Sequence, residues 1–303
     1  MALHLVGVDG GERGDDALTL AVRLAALYDA RLLAVHVVRL PPLRQRLGGE
    51  VIETLEAQAE EVLARARERM AGLASSGARA TFARSPADGL QRACHEEGAG
   101  LVTVGSTRRG RIGRLLAGTT GLALLSGAPC PVALAPLGYA ATAGAITSVV
   151  TGYDGGDEAR VALAVAADVA RRAGVGLRIV TAVEPLTAVM APASVELAPV
   201  LEQEAREYAR RALEDGLARV PEGVAAEGEL AEGDPGRVLA RAVRGTSDLL
   251  VLGSRRYGPR LGVVAGSVVH HLVREGSCPV LAVPRGVELD RAGELLAAPA
   301  SAA

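Results

Sequence analysis

The chain contains no lysine: all 33 of its basic side chains are arginine. A Walker A loop needs its lysine to reach the β- and γ-phosphates. Protein-kinase chemistry needs its strand lysine, and Schiff-base chemistry needs an amine nucleophile. All three classes are excluded. Cysteine is scarce: Cys94, Cys130 and Cys278 form no C-x-x-C pair, which suits a reducing compartment and a cytoplasmic protein rather than a disulfide framework. No uncharged apolar run reaches about eighteen residues, so no membrane span is expected. The first residues, Met1 to Val6, lack the basic region, apolar block and cleavage site of a signal peptide and read as a strand. Net charge is only -2, so nucleic acid is not an expected partner. The five histidines are scattered and His270-His271 point to different helix faces, so no metal site is expected.

What is present is a repeat. Val102-Thr103-Val104-Gly105-Ser106 matches Leu250-Val251-Leu252-Gly253-Ser254; Ala117-Gly118-Thr119 matches Ala265-Gly266-Ser267; Cys130-Pro131-Val132 matches Cys278-Pro279-Val280, each pair 148 residues apart. Gly7-Val8-Asp9-Gly10-Gly11 matches Gly152-Tyr153-Asp154-Gly155-Gly156 at a distance of 145. Four ordered matches define two copies of one unit, here 1–138 and 146–285. Small residues from Gly138 to Ala145 suit a short flexible linker, and residues 286–303 read as a flexible tail with one marginal helix.

Each unit alternates strand and helix. In the first, apolar runs at Leu3–Val8, Leu32–Val38, Ala78–Ala83, Leu101–Val104 and Pro131–Ala135 are separated by stretches with apolar residues at helical spacing. The second runs likewise from Ser148–Thr151 to Val280–Val283. Strands apolar throughout are buried on both faces, and βαβ alternation makes the sheet parallel. The expected fold is therefore α/β: two tandem, doubly wound, Rossmann-like domains, each a parallel sheet of about five strands with helices on both faces.

In such sheets ligands sit outside the carboxyl ends of the strands, where the order reverses. Gly7, Val8 and Asp9 fall at the first of these ends, as do Gly152, Tyr153 and Asp154; Val37 and Ala182 fall at the second. Val104-Gly105 and Leu252-Gly253 close the fourth. From there the spacing to Gly118-Thr119-Thr120 and to Gly266-Ser267-Val268 is the same. Glycine lets backbone N–H groups approach phosphate, and a hydroxyl at a helix start adds a donor and the positive helix end.

These motifs resemble the universal stress protein family in its tandem form, whose nucleotide-binding members carry G-x2-G-x9-G-[ST], an aspartate after the first strand and a closing C-P-V strand. The resemblance covers both halves. It implies an adenine nucleotide, ATP with or without Mg2+, with adenine near the first two strand ends. Asp9, Asp154, Gly105 and Gly253 would line the nucleoside, and Gly118, Thr119, Thr120, Gly266, Ser267 and Val268 the phosphates. It also implies that the last strands pair antiparallel, as a homodimer or an internal pseudo-dimer.

The sequence departs from the pattern at the middle glycine, which is Arg108 in one unit and Arg256 in the other. A positive φ there would cost about 1–2 kcal/mol, while a guanidinium on phosphate would return about 1.5–3 kcal/mol. Two alternatives stay open at other positions: Asp9 and Asp154 as plain helix caps, and Gly118 and Gly266 as plain packing glycines. The better motif match, Gly266-Ser267-Val268, favours the second site. With no base, metal cluster or nucleophile–histidine pair, the expectation is an ATP-binding stress-response protein without dedicated catalysis. The alternative is a dimeric scaffold of the same family that binds no nucleotide.

Overall fold

The protein is represented by a computed structural model that describes residues 1–39, 49–106, 119–142, 144–184, 198–243, 245, 248–253 and 278–297. In the first half these form β1 (Leu3–Gly7), α1 (Glu12–Tyr28), β2 (Arg31–Arg39), α2 (Gly49–Met70), β3 (Ser76–Ala83), α3 (Pro86–Glu97), β4 (Leu101–Gly105), α4 (Thr119–Leu125) and β5 (Val132–Ala135). A short α5 (Tyr139–Thr142) leads into β6 (Ser148–Gly152), α6 (Asp157–Ala173), β7 (Gly176–Val183), α7 (Ala198–Ala218), β8 (Ala226–Glu232), α8 (Pro235–Ala242), β9 (Asp248–Gly253) and β10 (Val280–Val283). A last turn of helix, α9 (Leu289–Ala292), follows.

All ten strands belong to one sheet, in the order β3-β2-β1-β4-β5-β10-β9-β6-β7-β8. Neighbours are parallel within each half. The halves meet at β5 and β10, which run antiparallel with Ala133 opposite Leu281. Each half alone would leave its last strand as an open edge, and pairing the two removes both edges. The internal pseudo-dimer is thus built into one chain, and these strands are not available for a homodimer.

The inner strands bury both faces, as their composition requires, whereas the edge strands do not: β3 is half-buried and β8 largely exposed, each lacking a neighbour on one side. One core lies under α1 and α6 and includes Leu20, Leu24, Leu163 and Val169; the other lies under α3, α4 and α8 and includes Leu90, Leu124 and Leu239. Both cores draw residues from both halves.

The structure corrects the sequence reading in three places. β2 extends to Arg39, so Val37 stands two residues before the strand end; it packs against α3, where a Cβ on Gly89 would lie 2.7 Å from its Cγ1. The start of the linker, residues 138–140, is fixed rather than flexible. Buried Asp16 accepts hydrogen bonds from the N–H of Gly138 (2.9 Å) and of Ala140 (2.7 Å), while the hydroxyl of buried Tyr139 accepts one from Arg23 (2.9 Å). Small residues at the seam signal a close fit here, not freedom. The tail is docked over 286–297: Leu296 is buried, and its carbonyl accepts a hydrogen bond from Nε2 of buried His4 in β1 at 2.9 Å. The marginal helix is α9, but the few large apolar residues of the tail, Leu289, Leu295 and Leu296, stand among alanine, glycine and charge and do not announce docking in the sequence. Residues 298–303 lie outside the described residues.

Candidate nucleotide-binding crevices

In each half the first strand lies between the second and the fourth, and the chain order reverses beside it. The crevice at that reversal is the standard ligand position of a doubly wound sheet. In the first half Asp9 leaves β1 in an Asp-Gly-Gly turn with Gly10 at φ 77. Its Oδ1 accepts hydrogen bonds from the N–H of Gly11 (2.9 Å) and Gly14 (3.1 Å), so Asp9 does cap α1. Its Oδ2 accepts none among the described residues, which leaves one carboxylate oxygen facing solvent as an acceptor. Asp154 makes the first of these bonds only, accepting from the N–H of Gly156 (2.9 Å), with Gly155 at φ 80.

The glycine that ends the fourth strand has a strict steric role. A Cβ on Gly105 would stand 2.3 Å from the carbonyl oxygen of Arg13, and a Cβ on Gly253 would stand 2.4 Å from that of Glu158. The first turn of α1 or α6 therefore lies directly on the strand end, bringing the helix N-terminus to the crevice. Gly7 and Gly152 serve the opposite face of the sheet, where a Cβ would meet Leu90 at 2.8 Å and Leu239 at 3.0 Å. Val104 and Leu252 are buried beside those two glycines and offer the crevice only backbone.

A second repeated contact was not visible in the motifs. His36 of β2 donates from Nδ1 to the carbonyl of Val8 at 2.8 Å, and Thr181 of β7 donates to the carbonyl of Tyr153 at 2.8 Å. Both carbonyls close the first strand of their unit, and both donors occupy the same repeat position. His and Thr share no letter, so only the 145-residue spacing could have revealed the pair.

The halves also differ. Where the first has Val8, the second has Tyr153, whose hydroxyl donates to Asp215 of α7 at 2.6 Å. Arg219 and then Tyr153 hold the Asp215 carboxyl down at about 2, while burial raises the Tyr153 phenol. Tyr208 of α7 donates to the carbonyl of Asp154 at 3.3 Å. The long helix of the second half is thereby tied to its Asp-Gly-Gly turn. Thr119 and Thr120 are the first described residues of α4, with Thr120 half-buried. Arg108, Gly118, Arg256, Gly266, Ser267 and Val268 lie outside the described residues. Among the described residues no group of His, Cys, Asp or Glu could hold a metal. The cysteines are buried; contact with Cys94 raises the Cys130 thiol, and burial pushes the Cys278 thiol up to about 12, so both are protonated and packed.

Taken together, the fold and its crevices define a tandem doubly wound α/β protein with one glycine-lined crevice per half. A profile described as Universal stress protein family matches residues 4–136 and again 146–284, and the chain belongs to that family. Universal stress protein Rv2319c of Mycobacterium tuberculosis is 30% identical over 295 residues, spanning 92% of this chain and 99% of its own. A universal stress protein of Mycolicibacterium smegmatis is 28% identical over 92% of this chain and 96% of its own. A solved universal stress protein structure from Archaeoglobus fulgidus shares the fold with TM-score 0.65 and 19% identity, covering 94% of this chain and 98% of that one. No described helix is long and apolar enough to cross a membrane.

Proposed function

We propose that this chain binds an adenine nucleotide, ATP with or without Mg2+, as a state-setting ligand in the stress response, and performs no dedicated catalysis. The observation that carries the reading is the doubled construction at the strand ends. In each half an Asp-Gly-Gly turn and a strand-end glycine meet at the reversal point, with a helix N-terminus laid on the glycine. The outward Oδ2 of Asp9 and of Asp154 suits a ribose hydroxyl. The sequence run Gly118-Thr119-Thr120, with its glycine and hydroxyls, suits phosphate oxygens. If Mg2+ accompanies ATP, it screens those oxygens. The chain's own part is to orient the nucleoside and donate N–H groups.

The test is calorimetric titration of the full chain with ATP and with AMP, beside Gly118→Ala and Gly266→Ala. ATP should give saturable heat and raise the unfolding temperature, by about 2.7 kcal/mol of stability at a hundredfold excess over Kd. The glycine variant in a half that holds the phosphates should weaken ATP more than AMP. No heat from the wild type at high ATP would reject the reading.

A scaffold without nucleotide is the second reading, favoured by Arg108 and Arg256 at the middle glycine. Mass spectrometry of nucleotide released from the purified protein separates the two.

A further inference from the structure

The two crevices are built alike in backbone and oppositely in charge. At the repeat position whose carbonyl meets the strand-end glycine stands Arg13 in the first half and Glu158 in the second. At the residue following Val38 or Val183 in the second strand of each half, Arg39 is replaced by Glu184. At the third strand, register places Phe82 beside Val38 but Glu232 beside Val183. The following helix is capped by neutral Ser85 in the first half and by Asp234 in the second. Exposed Arg84 precedes Ser85, where the second half has Gly233.

The first rim thus sets Arg13, Arg39 and Arg84 against Asp9, Glu12 and Asp88, the last of these matched by Arg237 in the second half. The second carries Asp154, Asp157, Glu158, Glu184, Glu232 and Asp234. Some second-half acids are answered, Asp157 by Arg160 at 3.1 Å and Glu232 by Arg206 at 2.8 Å. Arg13, Arg39 and Arg84 pair with no carboxylate among the described residues. Neighbouring strands lie about 4.8 Å apart, so these rims sit within one or two Debye lengths of the crevice at physiological salt.

We infer that the two crevices are not equivalent: the first half is the polyphosphate site, and the second half rejects polyanions. The inference rests on the nucleotide reading and reverses the preference that the motif match alone suggested. A triphosphate brings several negative charges, so each arginine-to-glutamate exchange at the rim moves attraction to repulsion.

Photolabelling of the full chain with 8-azido-ATP at low salt, followed by peptide mapping, tests it. Label should fall in peptides from residues 1–138, and titration should give one nucleotide per chain. Arg13→Glu with Arg39→Glu should weaken ATP by roughly tenfold or more, less at high salt. The fold accepts glutamate at that contact, as Glu158 shows. The reciprocal Glu158→Arg with Glu184→Arg should bring label into the second half. Equal labelling, or label mainly in residues 146–285, would overturn the inference and leave the nucleotide reading standing. No label and no heat would overturn both. Should the arginine variant unfold, the wild-type map and the reciprocal variant still decide.

Discussion

At Gly105 and Gly253 one missing methyl group decides how closely a helix can lie on a strand end. The obstructing atom is a backbone carbonyl oxygen, at 2.3 Å and 2.4 Å from the position a Cβ would take, so no side-chain rotation can relieve it. Gly105→Ala and Gly253→Ala should each destabilise the protein by about 1–3 kcal/mol, the range for overpacking a tight site. Gly72→Ala, where nothing lies within 4 Å, should leave the urea midpoint nearly unchanged. If the strand-end variants match that control, the close approach is not a constraint. The sequence marks this glycine by its spacing, but its packing role was not legible there. The obstructing carbonyl comes from the backbone of Arg13, so the contact leaves no trace in the type of residue found there. His36 and Thr181 escaped for a related reason: the same hydrogen bond is made by two unlike side chains.

At the scale of elements, the strand–helix alternation and the core strands were readable because burial on both faces imposes continuous apolar runs. Connectors were misread because their order comes from partners far away in the chain. The linker shows this well, since α5 begins where two N–H groups meet the carboxylate of Asp16, more than 120 residues earlier. Asp16→Ala leaves both half-buried donors without their acceptor, at a cost of about 1–3 kcal/mol. Its measure is the midpoint of chemical denaturation, together with faster proteolysis between Gly138 and Ala145. Resistance to cleavage equal to wild type would show that the seam holds without Asp16. The edge strand β8 is guarded differently: Glu227, Glu229 and Glu232 line it, and carboxylates there oppose pairing with another chain.

Across the whole molecule, the amino-terminal strand and the carboxy-terminal segment hold each other through His4 and Leu296. Burial pushes the His4 imidazole down to about 4, against an ordinary value of 6.5. The unfolded chain takes up the proton first as pH falls. Stability should therefore be full above pH 6.5 and decline between 6.5 and about 4, by at most about 3 kcal/mol. His4→Gln, which keeps a donor near Leu296 without a titrating ring, should flatten that decline in denaturant melts taken across the interval. A profile as steep as wild type would assign the dependence to other groups. Removing residues 286–303 should destabilise the chain, because Leu296 leaves the core and His4 loses its acceptor. The tandem architecture was legible from spacing alone. Its central seam was implied by family resemblance, since nothing in four-residue β5 or β10 says which edge it will meet. A fragment of residues 1–138 retains an unpaired β5 and should form dimers or aggregates in sedimentation, where the full chain has already closed that edge.

Because β5 and β10 run in opposite directions, every strand of one half points away from every strand of the other. The two crevices therefore open at opposite ends of the sheet. A nucleotide at one end never meets a molecule bound at the other, and a partner can cover one mouth while its twin stays open to solvent. The protein is two-sided by construction, with one mouth on each strand-end rim of a single shared sheet.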